Sequence, residues 1–185
     1  VDAGRVHPAI AALPEVGPLR RALAVRRGAI ELELPEQEVV RTDEGWTVQV
    51  RQRPPVEDWN AEISLLTGTT AARIMLDAGI GVLRTLPAAG PEAVTALRAV
   101  ARGLGISWPA AQTPAELLSA LPRDTPAALA LRRAATSLLR GAGYTAFDTA
   151  AGAPPPADPG HAGIGATYAH VTAPLRRLVD RFGTE

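Results

Sequence analysis

Seventeen glycines and 17 prolines break this chain of 185 residues into short segments. Proline lacks a backbone donor and clashes inside a helix, and glycine adopts the turns that end helices, so these residues dictate where elements start and stop. From Val56 to Ala78 there is no proline, and Trp59, Ile63, Leu66, Thr70, Ile74 and Leu76 line up as one apolar face. That stretch predicts a long helix with Gly79 as its stop.

The remaining punctuation sets out the other elements. Residues 8–27 carry Ile10, Leu13, Leu19, Leu23 and Val25 between basic positions and predict a helix broken by Pro14 and Pro18 and stopped by Gly28. Ala29–Leu34 alternates at period two, as a half-buried strand does. Glu38–Arg41 and Trp46–Arg51 flank the turn residues Asp43-Glu44-Gly45 and predict a hairpin that Pro54-Pro55 closes. A short strand at Gly81–Thr85 follows, then helices near 91–103, 114–121 and 125–140, the last announced by Asp124-Thr125-Pro126. Residues 150–163 read as a Pro/Gly/Ala loop, Gly165–Val171 as extended chain, and Pro174–Phe182 as a final helix. The class is α+β: a small antiparallel sheet packed with a majority of α-helices.

Composition removes several function classes. With 46% hydrophobic residues the chain is too apolar for disorder, and its apolar runs are too short to span a membrane. Nineteen cations balance 19 anions, so no net field draws it to nucleic acid or lipid. All 19 cations are Arg, a bias that fits GC-rich coding and also suits phosphate. The absence of Cys excludes disulfides, thiolate catalysis and a zinc ribbon, and His7, His161 and His170 leave little for a histidine metal site. The chain opens without Met or a signal-peptide core and stops in a charged, helix-like stretch, which suggests a fragment of a longer cytoplasmic protein.

Few residues look like catalysts. Glu31 and Glu33 share one face of the alternating segment, and a solvated strand face accounts for them. Successive Asp residues are never closer than ten positions, so no compact Asp cluster holds a metal. Ser64, Ser107, Ser119 and Ser137 lie in no nucleophile elbow, and Gly160–Gly165 matches neither a Walker loop nor a dinucleotide fingerprint. The segment Tyr168-Ala169-His170-Val171-Thr172-Ala173-Pro174-Leu175-Arg176-Arg177 is more informative. With Pro174 at the first helical position, Arg176 and Arg177 fall in the first turn, where cations oppose the dipole but concentrate donors for an anion. Two accounts stay open: an anion site, or a surface Arg pair bridged to Asp180.

This segment resembles the T-S-P-I-R-R motif of the RNB family, the ribonuclease II and ribonuclease R exoribonucleases. Other landmarks follow in the family's order. Arg27-Gly28-Ala29-Ile30-Glu31-Leu32 resembles R-G-A-I-D-F, and Thr70-Ala71-Ala72-Arg73 resembles the N-x-x-A-A-R end of a long helix. Leu83-Arg84-Thr85 is similar to Y-R-x-H, His161-Ala162-Gly163-Ile164-Gly165 to H-F-G-L, and Tyr168-Ala169-His170 to Y-x-H. Trp59–Ser64 resembles an actinobacterial-type branch.

The resemblance implies a hydrolase that degrades RNA processively from 3′ to 5′, releasing nucleoside monophosphates with Mg²⁺ at the scissile phosphate. It makes residues 1–185 the C-terminal portion of one RNB-type domain, an incomplete one, with 150–163 a loop within it. The family's Asp cluster, which holds Mg²⁺, lies upstream of the R-G-A-I strand, so the ligands are not in this chain. The implied partners are RNA and the missing N-terminal half, with no membrane. By motif, Arg176 contacts the scissile phosphate and Arg177 is its neighbour on the RNA backbone. Tyr168, His170 and Thr172 shape the channel floor, Leu32 falls where some members stack an aromatic on the terminal base, and Glu62 or Asn60 falls near a ribose-sensing Glu. The chain departs from the family pattern at Ala173 (Ser), Leu32 (Phe), Leu178 (Tyr) and Leu86 (His), which weakens the expected grip on substrate. The chain alone is expected to be inactive. Two other readings are a non-catalytic RNA-binding remnant and a structural interaction domain.

Overall fold

The structure, a computed structural model, describes residues 6–51 and 53–184. Two helices open it, α1 (Pro8–Ala11) and α2 (Leu13–Arg26). The break expected at Pro14 falls at Ala12 instead, because Pro14 sits in the first turn of α2, where no helical donor is needed. Pro18 stays inside α2 without ending it. Gly17 is buried directly under Trp59, so α2 can lie close against the next long helix.

Ala29–Leu34 is not a strand. Ala29 N–H turns back to Ala24 O at 2.9 Å, Ile30 N–H donates to Gly163 O at 3.0 Å, and Glu33 takes a positive φ of 41°. The alternation nevertheless reports two faces. Ile30 and Leu32 pack on the helical core, while Glu31 and Glu33 turn to Arg21. Glu33 also pairs with Arg123 at 2.8 Å and with buried Arg132 at 3.5 Å, so this acidic face is neutralised by arginines rather than solvated.

The hairpin forms as expected: β1 (Glu36–Thr42) pairs antiparallel with β2 (Gly45–Arg51), with Thr42 opposite Gly45. Helix α3 (Pro55–Ala78) ends at Gly79, whose φ of 75° gives the left-handed cap that glycine provides without strain. Its buried face differs from the expected one. Leu66 and Ile74 are exposed, whereas Glu62, Gly68 and Ala72 are buried. Small residues let neighbouring chain approach the helix closely, and that contact decides which face is covered.

Strand β3 (Ile80–Thr85) pairs antiparallel with β4 (Gly143–Asp148), a strand absent from the sequence expectations. Between them lie α4 (Pro91–Gly103), α5 (Pro114–Ala120), α6 (Pro126–Ala134) and a 3₁₀ turn, Ala135–Leu139. Thr113 and Glu116 form a reciprocal capping box at α5, and Thr125 caps α6. These helices enclose one core of Leu97, Ala101, Leu117, Leu118, Leu131, Ala135 and Leu138. A second, smaller core joins α3 to the β3–β4 pair through Ala72, Leu83, Phe147 and Ala169. The short strands β5 (Gly160–His161) and β6 (Ala166–Thr167) pair with each other, so the expected loop ends in a ladder.

The last helix also differs. Residues 174–176 make a turn, and α7 spans only Leu178–Phe182. Arg176 and Arg177 both return their N–H groups to Ala173 O, but Arg177 then takes an extended conformation (φ −129°, ψ 118°) and becomes the N-cap. Pro174 starts a single turn, not a helix, so neither Arg lies in a helical first turn.

Candidate functional site

The segment after β6 is anchored from both sides. Ala169 N–H donates to Gly68 O at 3.1 Å, and Arg84 N–H donates to Tyr168 O at 2.8 Å. Tyr168 lies over Gly68, where a Cβ would collide with its ring, and is almost fully buried. Burial raises its hydroxyl above the usual tyrosine range.

That anchoring gathers an aromatic and cationic cluster. The Tyr168 ring meets His170 edge-on at 5.3 Å and His161 at 6.1 Å. The Tyr144 hydroxyl lies 2.8 Å from His170 Nδ1, and the Arg84 guanidinium sits 4.5 Å over the Tyr144 ring. Burial, then the nearby Arg177 charge, lowers the His170 pKa. Burial and Arg84 lower that of His161 in the same way. Both shifts favour the neutral imidazole, in which His170 Nδ1 can accept a hydrogen bond from the Tyr144 hydroxyl.

The arginine pair divides its roles. Arg177 grips the fully buried Asp180 through Nε at 2.6 Å and a terminal nitrogen at 2.8 Å. Asp180 also accepts Ala173 N–H at 3.2 Å, which fixes the turn. Burial works to raise the Asp180 pKa, but the Arg177 and Ala173 hydrogen bonds outweigh it and hold the carboxyl below its usual range. Arg176 is exposed and, among the described residues, joins no ion pair. Thr172 is exposed beside this turn. Arg177 thus answers to the salt-bridge account, and Arg176 alone is left for an anion.

The other expected residues lie on different surroundings. Glu62 is 2% exposed on α3 and groups with Glu31, Arg20 and Arg27. Burial, then the charge of Glu31 and a hydrogen bond with it, raises its pKa against the pull of the two arginines. Asn60 is exposed two residues earlier on the same helix, and Leu32 is committed to the helical core. Sequence reasoning missed Tyr144, Arg84 and His161 as partners of His170. The Gly-Ala-Gly before Tyr144 and the alternation through Asp148 carried a strand signal that would have found Tyr144.

Among the described residues, no group of three or more His, Cys, Asp or Glu side chains could hold a metal ion. These residues therefore do not fit Mg²⁺, and no chemical step is derived through it. No helix among them is long and apolar enough to cross a membrane.

No family model matches the sequence, and no curated protein matches it. Solved structures do. Mycoplasma genitalium RNase R in complex with ribose-methylated single-stranded RNA is similar at a TM-score of 0.72 and 20% identity, over 92% of this chain and 26% of that one. The same enzyme with double-stranded RNA gives the same TM-score and identity, over 30% of that chain. Yeast Ssd1, a pseudonuclease, is similar at a TM-score of 0.67 and 18% identity, over 94% of this chain and 22% of that one. The chain thus spans less than a third of each of these structures, and what it shares with them is the fold, that of part of an RNB-type ribonuclease.

Proposed function

We propose that this chain is the C-terminal part of the catalytic domain of a 3′–5′ exoribonuclease. Arg176 contacts the scissile phosphate, and the Tyr168–His170 segment with Thr172 lines the path of the RNA. The observation that carries this reading is the separation of the two arginines: Arg177 is held by Asp180, and its neighbour Arg176 is exposed without an ion pair among the described residues. An unpaired guanidinium offers two parallel N–H donors to phosphate oxygens and offsets the charge that builds up as the phosphorus is attacked. Arg177 positions that group by fixing the turn. Glu62 and Asn60 are assigned to the ribose end, and Leu32, packed in the helical core, takes no part in stacking a base. The Mg²⁺ ligands and the rest of the channel belong to the N-terminal half of the domain.

The experiment is fluorescence anisotropy with single-stranded RNA across a salt series. Arg176→Ala is expected to weaken binding about tenfold and to reduce the salt slope by about 1. Unchanged affinity and slope would remove Arg176 from the site. The purified chain, given Mg²⁺, is expected to release no mononucleotides.

A second reading is favoured by the likeness to a pseudonuclease: an RNB fold that holds RNA without cutting it. The longer protein containing this chain separates the two. Release of nucleoside monophosphates supports the nuclease, and salt-sensitive binding without release supports the holding module.

A further inference from the structure

A cavity of about 290 Å³ opens where α2 packs against α3 and β6, lined by Arg20, Arg27, Thr69, Thr70, Arg73 and Ala166 among others. None of its lining residues is acidic. The two other main cavities mix both signs: Arg21 and Arg123 with Glu31 and Glu33 in one, Arg53 and Arg123 with Asp58 and Asp124 in the other. Arg20 lies on α2 and Arg27 is its C-cap, seven positions or about two turns later, so both lie on one side of it. Thr69, Thr70 and Arg73 are neighbours on one face of α3.

None of the three arginines joins an ion pair among the described residues. The Nε–H groups of Arg20 and Arg27 are buried without a protein acceptor. A buried charged donor without an acceptor is costly, and two such donors beside the exposed Arg73 favour an anion that joins them. Thr69 spends its hydroxyl on Leu66 O at 2.9 Å, which leaves Thr70 as the hydroxyl donor. Glu62, whose Oε2 is also buried without a partner, feels the charge of Arg20 and Arg27, but its own burial and its Glu31 neighbour favour its neutral form.

We propose that Arg20, Arg27, Arg73 and Thr70 form a second oxyanion site, selective for a phosphate group and separate from Arg176. Three guanidinium groups and one hydroxyl suit a tetrahedral anion with several acceptor oxygens better than a carboxylate with two. The volume lies at the small end for ligand sites, so it takes a phosphate with little more than its sugar. The phosphate comes either from a free phosphorylated metabolite or from a nucleic-acid backbone.

The test is NMR of the arginine Nε–H resonances in the full chain, titrated with inorganic phosphate, a nucleoside monophosphate and a single-stranded RNA. The Arg20 and Arg27 signals are expected to shift with phosphate. Arg73→Gln is expected to weaken phosphate binding, read at the Arg20 and Arg27 signals, about tenfold, the loss of one charge-assisted contact. Thr70→Val, at an exposed position, provides a second variant with the same expected direction. Shifts of these signals with RNA as well assign the phosphate to a nucleic-acid backbone, and shifts with the small anions alone assign it to a free ligand. Silence of both Nε–H groups toward every titrant, or full phosphate affinity in both variants, overturns the site whatever Arg176 does with RNA.

Discussion

The Asp180 carboxylate receives the Arg177 guanidinium through two hydrogen bonds, Nε to Oδ2 at 2.6 Å and a terminal nitrogen to Oδ1 at 2.8 Å, while itself fully buried. Removing one partner of such a pair strands the other charge, a loss of about 3 kcal/mol. Asp180→Asn is therefore expected to destabilise the chain by about that much in urea unfolding. The pH dependence has a definite sign. The folded-state pKa is depressed, so the stabilisation is complete above the unfolded value near 4 and is lost as pH falls through the lower folded value. Acid unfolding of the wild type should show this below about pH 4, and Asp180→Asn should flatten it.

The adjacent arginines give opposite expectations. Arg176→Ala removes an exposed side chain and should change stability by no more than about 0.5 kcal/mol. Arg177→Ala leaves Asp180 buried without its cation and should cost several times as much. Equal thermal shifts for the two would contradict the division of labour between them.

What could be read from the sequence was mostly local chemistry. Gly79 ends α3 because a left-handed cap needs only that residue, and Asp43-Glu44-Gly45 joins β1 to β2 with no distant help. Long-range partners were harder to read. The alternation at 29–34 announced two faces but not that one would meet Arg21, Arg123 and Arg132 in place of a strand. Strand β4 pairs with β3 from across four intervening helical segments, so its short apolar pattern had no nearby mate to reveal it. In the aromatic cluster, Tyr168 and His170 stand in one motif, yet Tyr144 joins His170 only through that distant pairing. The start of α7 shifted because the sequence places Pro174 equally well in a turn, and the capture of Arg177 by Asp180 is a tertiary event.

Glu62 gives the opposite pH behaviour to Asp180. Burial and Glu31 raise its folded pKa, so its contribution is full below the unfolded value and is lost as pH rises through the folded one. At neutral pH the residue costs stability that a neutral amide would not. Glu62→Gln is expected to raise the urea midpoint at pH 7, with the gain vanishing below about pH 4 where the carboxyl is protonated in both states. A gain that persists unchanged into acid would mean that packing, not charge, is responsible.

The most local prediction concerns the contact that sets the whole cluster. Gly68 faces the Tyr168 ring and Ala169 O so closely that an added methyl overlaps both. Its own carbonyl accepts Ala169 N–H, so the backbone on the other side cannot withdraw without breaking that bond. Gly68→Ala gains helix propensity of about 1 kcal/mol, but overpacking here costs about 1–3 kcal/mol or more. Net destabilisation is therefore expected, in spite of the better helix former. The ring must also move, which separates His170 from Tyr144 and shifts Arg84, whose N–H is bonded to Tyr168 O. Near-ultraviolet circular dichroism should change while the far-ultraviolet helix signal holds, and the His170 pKa measured by NMR should rise toward its ordinary value as burial is relaxed. A Gly68→Ala chain as stable as the wild type, with an unmoved His170 titration, would show that α3 and the Tyr168 segment can separate freely. The cluster would then be the product of some other constraint.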